Sequence, residues 1–243
     1  MPSMIDTFID ALQDRLRADI EQIHVSDGSS TARSAERRLQ AVAEHSPAFI
    51  ALLAEPWLGS DATPQTLRTL EHCARVHLYA RILDDALDEN LPIHRNNLLR
   101  AQALHWEAVQ GLSACTPAPL AQQAVQLIAE TVAAVQVDNQ QRTPLQWGAK
   151  NHHLLLSPLL LSGNSLAYQK CRAGLSILIA LVQAGDEWRQ GEIESPTVHR
   201  NFLSLLSASV EPEMLADLNQ HGWHRAAQRI VWNARQLLNV LST

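Results

Sequence analysis

The sequence has no surplus of positive charge, few cysteines, few glycines and no long apolar run, and each shortage removes a class of protein. Its 19 Lys and Arg stand against 25 Asp and Glu, for a formal net charge of −6. Nothing in that balance favours nucleic acid or an anionic membrane surface, and a protein handling an anionic ligand must gather positive charge locally. The three cysteines, Cys73, Cys115 and Cys171, are odd in number and far apart. They form no CxxC pair and no disulfide framework, so a reducing cytoplasm is the expected setting. The most apolar stretches, residues 154–161 and 175–182, fall well short of the roughly 18 residues that span a bilayer. Residues 1–20 carry acids early and lack an apolar h-region, so no signal peptide is expected.

What is present reads as helix. The 243 residues are 46% hydrophobic and contain only nine glycines, enough apolar material for one sizeable core. Apolar positions recur at three- and four-residue steps rather than alternating. Breakers punctuate the pattern at Asp27-Gly28-Ser29-Ser30, residues 56–64, Leu91-Pro92, residues 116–119, Thr143-Pro144, Gly163-Asn164, Ser195-Pro196, Glu211-Pro212 and His221-Gly222. Thr63-Pro64 and Thr143-Pro144 each place a capping hydroxyl before a proline at the first helical position, and Gln146 completes a capping-box pattern after Thr143. The spacing predicts helices over 3–24, 31–55, 64–90, 93–112, 118–138, 144–162, 165–194, 197–208, 212–220 and 222–241. With no repeat, low-complexity tract or linker, residues 1–243 are expected to form a single all-α domain.

Two acidic segments stand out. Leu83-Asp84-Asp85-Ala86-Leu87-Asp88-Glu89 closes a long helix. Asp84 and Asp88, four residues apart, share a face, and Asp85 lies about 100° round from Asp84. Acids at a helix C-terminus oppose the macrodipole and repel one another. A divalent cation would relieve that strain, since Mg²⁺ takes one or two carboxylates together with water and phosphate oxygens. A solvated acidic helix end is the plainer alternative. The second segment is Gln183-Ala184-Gly185-Asp186-Glu187-Trp188-Arg189-Gln190-Gly191-Glu192-Ile193-Glu194. Its Asp186, Gln190 and Glu194 line one face at four-residue steps, with Glu187 beside them; read alone, it is more simply an exposed polar helix end.

Together these segments resemble the class I isoprenoid synthases, the superfamily of prenyl diphosphate synthases, squalene and phytoene synthases and terpene cyclases. Asp84-Asp85-x-x-Asp88 matches the DDxxD motif. Gln183-x-x-Asp186-Glu187-x-x-Gln190 is similar to the second prenyl-synthase motif, QxxDDxxD, with Glu and Gln in its last two acidic places. Read as Asp186-Glu187-x-x-Gln190-x-x-x-Glu194, the same stretch also resembles the metal triad of terpene cyclases. Lys150 opens a helix like the lysine-led helix before the second motif, and Gly174 falls where that family has a glycine. The resemblance covers roughly residues 64–200.

The resemblance implies a helical bundle of the isoprenoid-synthase type and a prenyl diphosphate substrate. It implies Mg²⁺ held by Asp84, Asp85 and Asp88 on one wall and by Asp186, Glu187, Gln190 and Glu194 on the other. Breaking the allylic C–O bond would then release pyrophosphate and leave a carbocation to be shielded from water. Lys150 and Arg189 are candidate diphosphate contacts, Trp106, Trp147, Trp188 and Phe202 candidate pocket walls, and a homodimer is a family-level expectation.

No Gly-Lys-x-x-Arg element precedes the first motif, and Arg33, Arg37 and Arg38 form the nearest basic cluster, which reads more simply as a solvated face. Cyclisation of the terpene-synthase kind is therefore preferred to chain elongation. The alternatives are a prenyltransferase or polyprenyl diphosphate synthase-like enzyme, and a non-catalytic synthase-like partner protein. A di-iron helical oxidase using Glu71, His72, His77, His152 and His153 is a further alternative, but no Glu-x-x-His pair falls at a useful place.

Overall fold

The computed structural model describes residues 4–23, 29–59, 62–88, 95–135, 148–190, 203–204, 207 and 210–241. Among these residues there are nine α-helices and no strand. In chain order they are α1 (Met4–Ile23), α2 (Ser30–Leu53), α3 (Pro64–Asp88), α4 (Arg95–Cys115), α5 (Ala118–Val135), α6 (Leu156–Ser162), α7 (Leu166–Gln190), α8 (Pro212–Gln220) and α9 (His224–Leu241). No helix of the described residues is long and apolar enough to cross a membrane. The chain divides into two compact units, Met1–Ala121 and Gln122–Thr243.

Helix starts follow local chemistry. The Ser29 hydroxyl accepts from the Ala32 amide at 3.0 Å and caps α2. At the start of α3 the Thr63 hydroxyl accepts from the Thr66 amide at 3.2 Å, and the Thr66 hydroxyl accepts from the Thr63 amide at 3.3 Å. This reciprocal cap leads directly into Pro64, as Thr63-Pro64 predicts, and such a cap is worth about 1 kcal/mol. The corresponding Thr143-Pro144-x-Gln146 lies outside the described residues.

Helix ends are just as local. After α8, Gly222 turns left-handed at φ 92°, and the Trp223 amide reaches back to the Leu218 carbonyl at 2.8 Å. Trp223 and Leu218 are both buried, which completes a Schellman turn with its apolar contact. Gly163 and Asn164, both left-handed, end α6.

One predicted helix is interrupted. Residues 148–149 are helical, but a turn at 150–151 and a 3₁₀ segment, His152–Leu155, separate them from α6. Pro158 accounts for the break: its ring would clash with the residue 154 carbonyl inside an α-helix, whereas in the first turn of α6 no N–H is required of it. Of the predicted 197–208 helix, residues 203–204 and 207 are described, and all three are helical.

In the first unit α1 packs on α2, α3 and α4, and α3 packs on α2 and α4. Leu12, Leu16, Ile20 and Ile23 form the buried stripe of α1. It meets Leu70, Ala74, Leu78 and Ile82 of α3 and Ala101, Leu104 and Ala108 of α4 in one apolar interior. Gly111 lets α4 approach α3 closely: a Cβ there would lie 2.3 Å from the His72 ring. Through this interior runs a buried ion pair. Arg75 donates from Nε to Asp19 Oδ2 at 2.8 Å and from Nη2 to Oδ1 at 3.0 Å, and the two residues are 7% and 1% exposed. Burial works against the Arg75 charge, but the bonds to Asp19 outweigh it and raise its pKa.

In the second unit α7 is central, buried on most sides by Tyr168, Cys171, Leu175, residues 177–181 and Ala184. It contacts α6, α8, α9 and the 3₁₀ segment. Gly174 gives α8 its seat on α7, because a Cβ there would fall 2.8 Å from Leu218 Cδ1.

Two outcomes follow for the first unit. Arg75→Ala removes the bidentate partner of the buried Asp19, leaving it Arg15 at 3.8 Å, and is expected to cost about 3–5 kcal/mol in urea unfolding, whereas Asp19→Leu with Arg75→Met recovers most of that loss. Burial, with the Arg75 charge adding to it at His72, holds the His72 and His105 rings below their ordinary pKa of 6.5. The unfolded chain therefore binds more protons in the window just below 6.5, so stability is complete above that value and falls as the pH drops through it. Unfolding midpoints taken at descending pH should show this decline, and His105→Gln should flatten it.

Candidate functional site

The first motif sits at the end of α3, a helix fastened at several heights. Arg75 ties it to α1. One turn further on, the Tyr79 hydroxyl donates to Gln102 Oε1 of α4, and the Tyr79 ring stacks on His105 with centroids 4.3 Å apart. Burial raises the Tyr79 pKa, which keeps the phenol a donor. From α4, Arg100 reaches the Gln22 carbonyl of α1 at 2.9 Å. The motif thus leaves a braced helix rather than a loose end.

Asp84 is half-buried, and its Oδ2 lies 2.6 Å from Arg81 Nη1, one turn back. A half-exposed pair at this spacing contributes only a few tenths of a kcal/mol. Its larger effect is to set a positive charge beside carboxylates that the helix dipole disfavours. Asp85 and Asp88 continue α3, and their side chains lie outside the described residues.

The second motif begins on α7. Gln183 is 8% exposed and accepts a hydrogen bond from Asn151 Nδ2 at 2.6 Å. Gly148, three residues before Asn151, lies against Ala180, three residues before Gln183: a Cβ at Gly148 would come within 2.9 Å of the Ala180 Cα. The 148–151 turn therefore runs along α7 toward the motif. It carries Lys150, half-buried, and Asp186 is half-buried one turn beyond Gln183. Side chains of Glu187, Arg189 and Gln190, and all of Glu194, lie outside the described residues.

Asn151 was not legible as a site residue, because its role depends on a partner 32 positions away. The matched three-residue steps from Gly148 to Asn151 and from Ala180 to Gln183 carry the signal, and they read as a pattern only once the two segments are known to dock.

Of the predicted aromatic walls, Trp106 is 57% exposed on α4. Trp147, the Trp188 side chain and Phe202 lie outside the described residues. Arg33 and Arg37 are exposed on α2, as a solvated face requires. Neither Cys73 nor Cys171 offers a soft ligand, since burial pushes the Cys73 thiol up to about 12 and the Cys171 thiol to about 11; the Cys115 side chain lies outside the described residues. Carboxylates and amides at the motifs are hard oxygen donors, the chemistry that Mg²⁺ takes. Among the described residues no group of three or more His, Cys, Asp or Glu side chains is gathered as metal ligands would be. In the second unit a half-open polar cleft of about 160 Å³ lies between α5 and α7, lined in part by Gln126, Glu130, Tyr168 and Arg172. It includes no motif residue.

Asn151→Ala should leave Gln183 short of a buried donor, lowering stability by about 1–3 kcal/mol in chemical unfolding, with Asn151→Asp no better because it offers no N–H. Compared with protein-family models, curated proteins and solved structures, the chain matches none.

Proposed function

We propose that this protein is a Mg²⁺-dependent class I isoprenoid synthase that ionises a prenyl diphosphate, with terpene cyclisation as its reaction. The observation that carries this reading is the Asp84-Asp85-x-x-Asp88 run at the end of a braced 25-residue helix, with Asp84 half-buried and countered by Arg81. An acidic run exposed merely for solubility needs neither the bracing nor the counter-charge. The all-helical fold is compatible with the reading.

Each side chain then has a task. Asp84 and Asp186, half-buried on α3 and α7, supply carboxylate oxygens, with Asp85, Asp88, Glu187, Gln190 and Glu194 as the further donors of the two motifs. Bound Mg²⁺ would neutralise the diphosphate as it leaves. Lys150 places a fixed positive charge on the turn that docks along α7, where it would meet the same anion, and Arg189 is its counterpart on α7. The Asn151–Gln183 bond holds the second motif in register. Cys73 and Cys171 are buried, and burial raises both thiol pKa values, so neither offers a thiolate to the carbocation.

A second reading, a synthase-like partner protein, is favoured by one feature. Leu99 and Trp106, seven residues apart on one face of α4, are each 57% exposed, as a protein-binding helix face would be.

The deciding assay is pyrophosphate release from geranyl, farnesyl and geranylgeranyl diphosphates, with and without Mg²⁺, for the wild type, Asp84→Ala and Asp186→Ala. Metal-dependent release that falls at least about 100-fold in both variants is expected, since each removes a group acting on the leaving diphosphate. Absence of release from all three substrates, with and without isopentenyl diphosphate, would overturn the enzyme reading in favour of the partner protein.

A further inference from the structure

Three arginines lie along α3, and each has a different commitment. Arg68, near the start, donates to Gln65 at 3.0 Å within its own first turns. Arg75 is held in the buried bidentate pair with Asp19. Arg81 is left beside the acidic end, its Nη1 2.6 Å from Asp84 Oδ2. The Arg81 and Asp84 side chains are 26% and 16% exposed, so both are reachable from solvent, unlike those of Arg75 and Asp19 at 9% and 2%. Arg75 and Arg81 are thus ion-paired cations on one helix in different settings, one buried in the interior and one partly open to solvent.

We infer that Arg81 is the acidic motif's own counter-ion, holding Asp84 when no cation is bound and exchanging that carboxylate for the substrate's diphosphate when one arrives. The inference rests on the function proposed above. A carboxylate oxygen in contact with a guanidinium is shielded from a divalent cation, which needs to approach to about 2.0–2.1 Å and is repelled by the neighbouring positive charge. Cation binding at Asp84 therefore competes with Arg81. The displaced guanidinium does not become an orphan: its planar fork matches phosphate oxygens as well as carboxylate ones, and the diphosphate arrives with the cation. Arg81 would weaken the metal alone and strengthen the metal–diphosphate pair, so that the two bind together.

The test measures Mn²⁺ binding to the full chain by electron paramagnetic resonance, and pyrophosphate binding in the presence of Mn²⁺ by calorimetry. It compares the wild type with Arg81→Gln, Arg81→Lys and Asp84→Ala. Arg81→Gln should bind Mn²⁺ alone about two- to fivefold more tightly, the size of effect a half-exposed pair carries, and pyrophosphate about tenfold more weakly. Arg81→Lys, which keeps the charge and the fold, should fall between the two on both measurements. Unchanged or weaker Mn²⁺ binding in Arg81→Gln, with Asp84→Ala losing the metal, overturns the exchange while leaving the site standing. Mn²⁺ binding that Asp84→Ala does not affect, or that is absent throughout, overturns both the exchange and the site.

Discussion

The buried pair between Asp19 and Arg75 is the constraint on which the first unit turns. Two charges that far from water are tolerated only because the fork and the carboxylate satisfy each other at 2.8 and 3.0 Å. Replacing such a pair with apolar side chains is often harmless, whereas breaking it is costly, so its contribution is to specify rather than to add stability. It fixes the rotation and height of α3 against α1. The Tyr79 contacts with Gln102 and His105 then fix α3 against α4. With three helices locked to one another, the direction in which Asp84 leaves α3 is set by the interior.

The second unit solves a similar problem with amides instead of charges. Its central helix α7 is apolar on most sides, and the polar character begins at Gln183, where Asn151 meets it. The break in the predicted 144–162 helix leaves a turn that brings Gly148 against Ala180 and Asn151 against Gln183 of that helix. In both units, acidic residues lie toward the C-terminal end of a long helix, where the dipole disfavours them; Arg81 pairs with Asp84, and the Asn151-bearing turn meets α7 at Gln183, one turn before Asp186.

Much of this was legible in the sequence, for physical reasons that differ by feature. Helix positions were readable because caps are local: Ser29, Thr63-Pro64, Gly163-Asn164 and Gly222 act within four or five residues of themselves. The predicted helices over 64–90, 118–138 and 212–220 accordingly correspond to α3, α5 and α8; residues 89–90 and 136–138 lie outside the described residues. The interruption at 150–155 was missed because Pro158 lies eight residues past Lys150, inside an apolar run that reads as continuous helix. Conversely, Pro47 lies within α2 without ending it. The Asp19–Arg75 pair, 56 positions apart, and the Asn151–Gln183 bond have no local trace, since nothing near either residue names its partner. Of the candidate site, the sequence supplied the motif positions; the depth of burial, the Arg81 counter-ion contact and Asn151 came from packing.

The central claim is that the Asp84-Asp85-x-x-Asp88 run holds Mg²⁺ against a diphosphate. A crystal structure of the full chain grown with Mg²⁺ and inorganic pyrophosphate tests it most directly. The account predicts pyrophosphate held through the metal at Asp84, with Arg81 turned from Asp84 onto a phosphate oxygen. Pyrophosphate seated elsewhere, such as at Arg172 in the α5–α7 cleft, would contradict it.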